Sequence, residues 1–184
     1  MVTAAPGEDR SPALALVNTR RVEADDLVSP GAAADWLRER GLAAEVPDAA
    51  SLSRLTELRA AVRELLAALA EDRTPAATAL ETVNAEARAD TAALTLTWAD
   101  GPAREWHSSR PGGLDAAVGA VARDAIEVVS GELGAMVRAC EAHGCIRYYV
   151  REHARRRWCS TTCGDRVRAA RHQRLVVEQR GGGG

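Results

Sequence analysis

C-E-A-H-G-C at residues 140–145 and W-C-S-T-T-C-G-D-R at residues 158–166 hold Cys140, Cys145, Cys159 and Cys163, the only four cysteines of the chain. Their spacing is C-x4-C, thirteen residues, then C-x3-C. A tetrahedral zinc ion is satisfied by four thiolates, and two short loops that each bring a pair can close on one ion. Between the pairs, I-R-Y-Y-V-R (146–151) has the β-branched and aromatic content of a strand, and C-G-D-R-V-R-A-A-R-H-Q-R (163–174) opens a helix. A knuckle, a short extended segment or hairpin, and a helix carrying the last ligand in its first turn predict a treble-clef-like four-cysteine finger holding Zn2+. The same residues also admit four unpaired thiols or disulfides, and His143 competes with a cysteine as ligand.

An energetic reason favours the metal. Residues 140–184 hold few large apolar groups, and a segment that short does not make a stable core alone, whereas metal binding supplies folding free energy. Trp158, Tyr148 and Tyr149 are the material for a miniature core, although strand alternation sends the two tyrosines to opposite faces.

Charge is divided along the chain. Every basic side chain is Arg, and the formal net charge of -2 splits into -8 over residues 1–139 and +6 over residues 140–184. A basic end on an acidic body points to a polyanion contact confined to the C-terminus. Arg155, Arg156 and Arg157 precede Trp158, and Arg166, Arg168, Arg171 and Arg174 follow on the helix. Three-residue steps put Arg168, Arg171 and Arg174 on one side, with Arg166 turned away. Guanidinium forks suit phosphate oxygens, so double-stranded DNA is the expected partner. The competing reading is an ordinary solvated surface in a chain whose only base is Arg. Asp165, at a helix start, is expected to meet free amides or to clamp Arg166.

Further towards the N-terminus the pattern is helical. Residues 1–12 read as loose. A-L-A-L-V-N-T-R (13–20) fits a strand or a short helix equally, residues 32–40 a helix ended by Gly41, and residues 51–71 a long amphipathic helix. In that long helix Leu52, Leu55, Leu58, Val62, Leu65, Leu66 and Leu69 form the apolar stripe, with Asp48 or Ser51 as cap. Thr74-Pro75 signals a further helix to Arg88 that presents Leu80, Val83 and Asn84. Residues 91–98 and 104–108 flank D-G-P (100–102) as a β hairpin, with Leu94, Leu96 and Trp98 on one face. A last helix runs to Ser130 and buries Val118, Val121, Ala122, Ala125, Ile126 and Val129. With no Phe in the chain, the core is expected to be aliphatic.

W-C-S-T-T-C-G-D-R-V-R-A-A-R-H-Q-R (158–174) resembles the CGNR-type zinc finger, in which such a finger follows a helical region called the ABATE domain in stress-induced transcription regulators. Both cysteine pairs match, as do Arg157, Trp158 and Cys159, and the Cys-Gly-Asn-Arg signature falls on Cys163, Gly164, Asp165 and Arg166. Asp in place of Asn removes an amide donor and adds negative charge, which argues against a base contact there and leaves metal ligation intact. A-L-V-N-T (15–19), Asp26-Leu27 and Trp36-Leu37 are similar to the opening of ABATE regions. The resemblance implies a ligand-sensing role around Asn18 and Thr19; beside them, Arg21 is a candidate anion contact. The physical alternative for Asn18 is a side chain that ties down a turn.

The expected fold is therefore α+β. Residues 1–133 form a predominantly helical domain with a small hairpin that senses a small molecule or forms a homodimer, residues 134–180 the finger, and residues 181–184 a flexible glycine tail. The expected function is DNA-binding transcription regulation; a zinc-stabilised protein-interaction module is the alternative. No nucleophile–base pair or open metal site can be read, so no enzyme is expected. Neither a leader nor an apolar run of roughly 18 residues appears, so no membrane partner is expected. Metal-binding cysteines fit the reducing cytoplasm.

Overall fold

The computed structural model describes residues 3–43 and 45–181. Two Ser-Pro pairs start the first two helices, α1 (Pro12–Asn18) and α2 (Pro30–Glu39). In each, the serine oxygen accepts from a backbone amide and the proline occupies the first turn. That start resolves residues 13–18 as helix, with Thr19 at the C-cap and Arg20 bridged to Asp25, and Ala13 to Asn18 are all buried. Asp48 accepts from the Ser51 amide and caps α3 (Ala49–Ala70), whose Leu55, Leu58, Val62, Leu65 and Leu66 are buried. Of the predicted stripe, Leu52 is only partly buried and Leu69 is exposed.

α4 (Ala77–Ala89), the hairpin β1 (Ala92–Thr97) and β2 (Ala103–Ser108), and α5 (Leu114–Ser130) follow. The core is mainly aliphatic, as composition predicts, with Trp36 and Tyr148 as its aromatic members. Leu14, Leu16 and Val17 of α1 meet the α3 stripe, Val83 of α4, and Val118, Val121, Ala122 and Ala125 of α5.

Three expectations are corrected. Thr74-Pro75 does not start α4. The helix begins at Ala77 with no side chain of its own at the cap, and the Glu64 carboxylate of α3 accepts from the Ala76 amide at 3.1 Å instead. Its buried face is Ala79 and Val83, while Leu80 and Asn84 are exposed. In α5 it is Val128 that is buried, and Ile126 is exposed.

α6 (Glu132–Met136) leads into the finger, which consists of β3 (Val137–Ala139), β4 (Tyr148–Val150) and α7 (Thr161–Gly181). β3 pairs antiparallel with β4, Arg138 opposite Tyr149. Alternation then divides β4 between two cores. Tyr148 and Val150 join the helical core, while Tyr149 packs with Cys140, Cys159, Cys163 and Ala5.

Residues 3–11 are not loose. The Val150 amide donates to the Pro6 carbonyl at 2.8 Å, so this segment covers the outer edge of β4. Gly7, at φ +95°, lies so close that a Cβ would sit 2.3 Å from Val150 Cγ2; only glycine fits. Of the glycine tail, Gly181 ends α7 and residues 182–184 lie outside the described residues. Among the described residues, no helix is long and apolar enough to cross a membrane.

Candidate functional site

The four cysteines come from three places: Cys140 and Cys145 flank the turn after β3, Cys159 precedes α7, and Cys163 lies in its first turn. All four sulfurs lie within 4.8 Å of one another. Cys145 and Cys159 are 3.8 Å apart, Cys159 and Cys163 3.7 Å. Thiolates at about 2.3 Å around one zinc would be separated by about 3.8 Å, so the donor set fits a tetrahedral ion. His143 and His153 are exposed and outside this cluster.

The neighbouring Cys145 and Cys159 thiols, with the Cys159 amide donating to Cys140 Sγ at 3.3 Å, hold the Cys140 thiol far below the usual range, while the crowding pushes Cys145 and Cys159 up. Four sulfurs at this spacing cannot all carry charge unaided. A bound dication would let all four be thiolates and would tie both loops to α7.

Two arginines supply positive charge beside the sulfurs. Arg147, almost fully buried, lies 4.0 Å from Cys159 Sγ and donates to Glu8 Oε1 at 2.7 Å and to the Thr3 carbonyl at 3.1 Å. Arg166 lies 3.9 Å from Cys163 Sγ and donates to the His143 carbonyl at 3.2 Å. Trp158 is half-buried against this cluster, and Gly164 makes room for its ring: a Cβ there would sit 3.0 Å from it.

Residues 10–132 match the ABATE family model, described as "Putative stress-induced transcription regulator". The chain belongs to the ABATE family. Residues 136–174 match the CGNR zinc finger, so the metal site described above is the finger of this ABATE protein. No curated protein matches the chain.

The ABATE chain's seven candidate DNA-contact arginines fall into three groups. Arg166 is tied to the metal site. Arg157 pairs with Glu141 at 2.5 Å and Arg168 with Asp165 at 2.5 Å, so Asp165 clamps Arg168 and not Arg166. Both pairs are exposed and worth little. Arg155, Arg156, Arg171 and Arg174 have no ion-pair partner among the described residues. Arg168, Arg171 and Arg174 are spaced three residues apart on α7, and all three are exposed.

Asn18, Thr19 and Arg21 all line a cavity of about 490 Å³ between α1, α2 and the finger. Their polar groups are already engaged. Asn18 Nδ2 donates to the Tyr148 carbonyl at 2.8 Å and to Glu8 at 2.7 Å, and its Oδ1 accepts from the Tyr148 amide at 2.9 Å. The side chain thus pairs the edge of β4 as a neighbouring strand would. Thr19 donates to the Leu16 carbonyl and accepts from Arg59, and Arg21 forks onto Asp26.

Arg59 also bonds both oxygens of Asp25, at 2.6 and 2.9 Å, and holds that carboxyl down at about 2. Sequence reasoning missed Glu8, Arg40 and Arg147 as cavity residues. Arg40 lies 4.6 Å over the Trp36 ring, and burial pushes its guanidinium down. Trp36 Nε1, Arg40 Nε and Arg147 Nε are buried without a hydrogen-bond partner among the described residues. Only Trp36 carried a signal in the sequence; Glu8 and Arg147 meet across 139 positions.

Proposed function

We propose that this ABATE protein is a DNA-binding transcription regulator whose finger holds Zn2+ and contacts phosphates through arginines. The observation that carries the reading is the row of Arg168, Arg171 and Arg174 on a helix rooted in the metal site. These contacts position the backbone rather than read bases. The body over residues 1–133 senses a small molecule in the cavity lined by Asn18, Thr19 and Arg21. Occupancy there reaches the finger through Glu8 and Arg147, because Arg147 touches both the cavity and Cys159. No covalent chemistry is assigned to either site, and the reducing cytoplasm suits the four thiolates.

The test is binding of the zinc-loaded protein to mixed duplex DNA across a salt series. Affinity is expected to fall steeply with salt, and Arg171→Ala and Arg174→Ala are each expected to lower the slope by about 1. No salt-dependent binding at low ionic strength would overturn the reading. A zinc-stabilised protein-interaction module is favoured by a different observation: β4 is shared with the helical core and pinned by Asn18, so the finger is partly a brace. Binding of an acidic protein by a chain that does not bind DNA would support that alternative.

A further inference from the structure

The hairpin holds four exposed large apolar side chains, Leu94, Leu96, Trp98 and Trp106. Leu94 pairs across it with Trp106 and Leu96 with Arg104, so alternation places Leu94, Leu96, Arg104 and Trp106 on one face, with Trp98 just past the end of β1. Trp106 donates from Nε1 to Glu127 of α5 at 3.1 Å and lies 5.4 Å from the Arg123 guanidinium, which turns this face towards α5. The outer part overhangs the body: Leu96 is 68% and Trp98 70% exposed. Half of the chain's four tryptophans therefore face solvent on one two-stranded arm, which is marginally stable without a further layer.

We propose that this face is the contact between two copies of the chain. The exposed parts of Leu94, Leu96, Trp98 and Trp106 leave on the order of 400 Å² of largely apolar surface. That is within the range of the largest, often functional, patch on a monomer and about half of the roughly 800 Å² each partner gives to a standard interface. The charges at its rim suit a two-fold. Arg104 has no ion-pair partner among the described residues, and Glu127 is exposed beside Trp106, so each copy offers one cation and one anion to the other. This contact needs no nucleic acid. It deepens the regulator reading, and rests on it, only in its consequence that two fingers are presented to paired half-sites.

Sedimentation of the full zinc-loaded chain over a concentration series tests the contact. The expected species has twice the 19.5 kDa chain mass, and Leu96→Asp with Trp98→Asp is expected to give the single chain with unchanged zinc content. If that pair of changes unfolds the hairpin, a charge exchange replaces it. Arg104→Glu alone should weaken association by roughly tenfold or more, and adding Glu127→Arg should restore it. A wild-type protein that stays at the single-chain mass throughout overturns the proposal. So does a dimer indifferent to the changes at 96, 98 and 104. Because DNA is absent from the experiment, failure of DNA binding leaves either result intact.

Discussion

Replacing Asn18 with Ala removes the side chain that pairs the outer edge of β4. Asn18 is 3% exposed, and its amide supplies both partners of the Tyr148 peptide groups, a donor at 2.8 Å and an acceptor at 2.9 Å. Without them a buried N–H and a buried C=O are left unpaired, at about 1–3 kcal/mol each. Glu8 loses one donor but keeps Arg147 at 2.7 Å, so it adds little. The expected loss is about 2–6 kcal/mol, which for a chain of this size lowers the melting temperature by roughly 4–24 °C.

Asn18→Asp should cost at least as much. It keeps an acceptor for the Tyr148 amide but turns a carboxylate towards the Tyr148 carbonyl and Glu8. The assay is thermal unfolding of zinc-loaded protein followed by circular dichroism, with zinc release read in parallel by a chromogenic chelator. Both variants should melt earlier and release metal sooner, because the strand they loosen carries Tyr149 into the cysteine cluster. An Asn18→Ala protein that melts within about 1 °C of wild type and keeps its metal equally well would refute the reasoning.

Val62→Asp buries an unpaired charge at a position 1% exposed, and is expected to cost several kcal/mol; chemical denaturation that finds no loss would mean the stripe is not core. Cys159→Ser removes the sulfur nearest Arg147, so elemental analysis should fall well below one zinc per chain and Trp158 fluorescence should report a loosened finger. Asp25 has a depressed folded pKa, so its ion pair with Arg59 stabilises the protein above the ordinary carboxylate range of about 4 and is lost as pH falls towards about 2. The stability gap between wild type and Asp25→Asn, measured by denaturation at successive pH values, should therefore narrow across that window; a gap that widens on acidification would contradict the pairing.

The metal site was legible because its geometry is local. Each cysteine pair spans a few residues, and a helix start after Cys159 puts Cys163 back beside it. Register on the helices was less legible. A helical wheel ranks Leu80 above Ala79, but the neighbour of α4 lies on the side of Ala79 and Val83, and the larger side chain faces solvent. Ile126 and Val128 in α5 differ for the same reason. The N-terminal segment looked loose because it is small and polar. Its order comes from Val150, Arg147 and Glu8, contacts made over 139 or more positions.

Local spacing and periodicity alone determined four cysteine donors in two pairs, an amphipathic α3, and a basic end on an acidic body. These properties act over one or two turns of chain, where residue identity and geometry are nearly equivalent. Tertiary structure alone decided that β4 serves two cores, that Asn18 is a strand-edge partner, that Arg147 is buried between cavity and sulfur, and that two tryptophans face solvent. Each of those outcomes depends on which surfaces meet, and burial and pairing across more than a hundred residues leave no pattern in the neighbouring sequence.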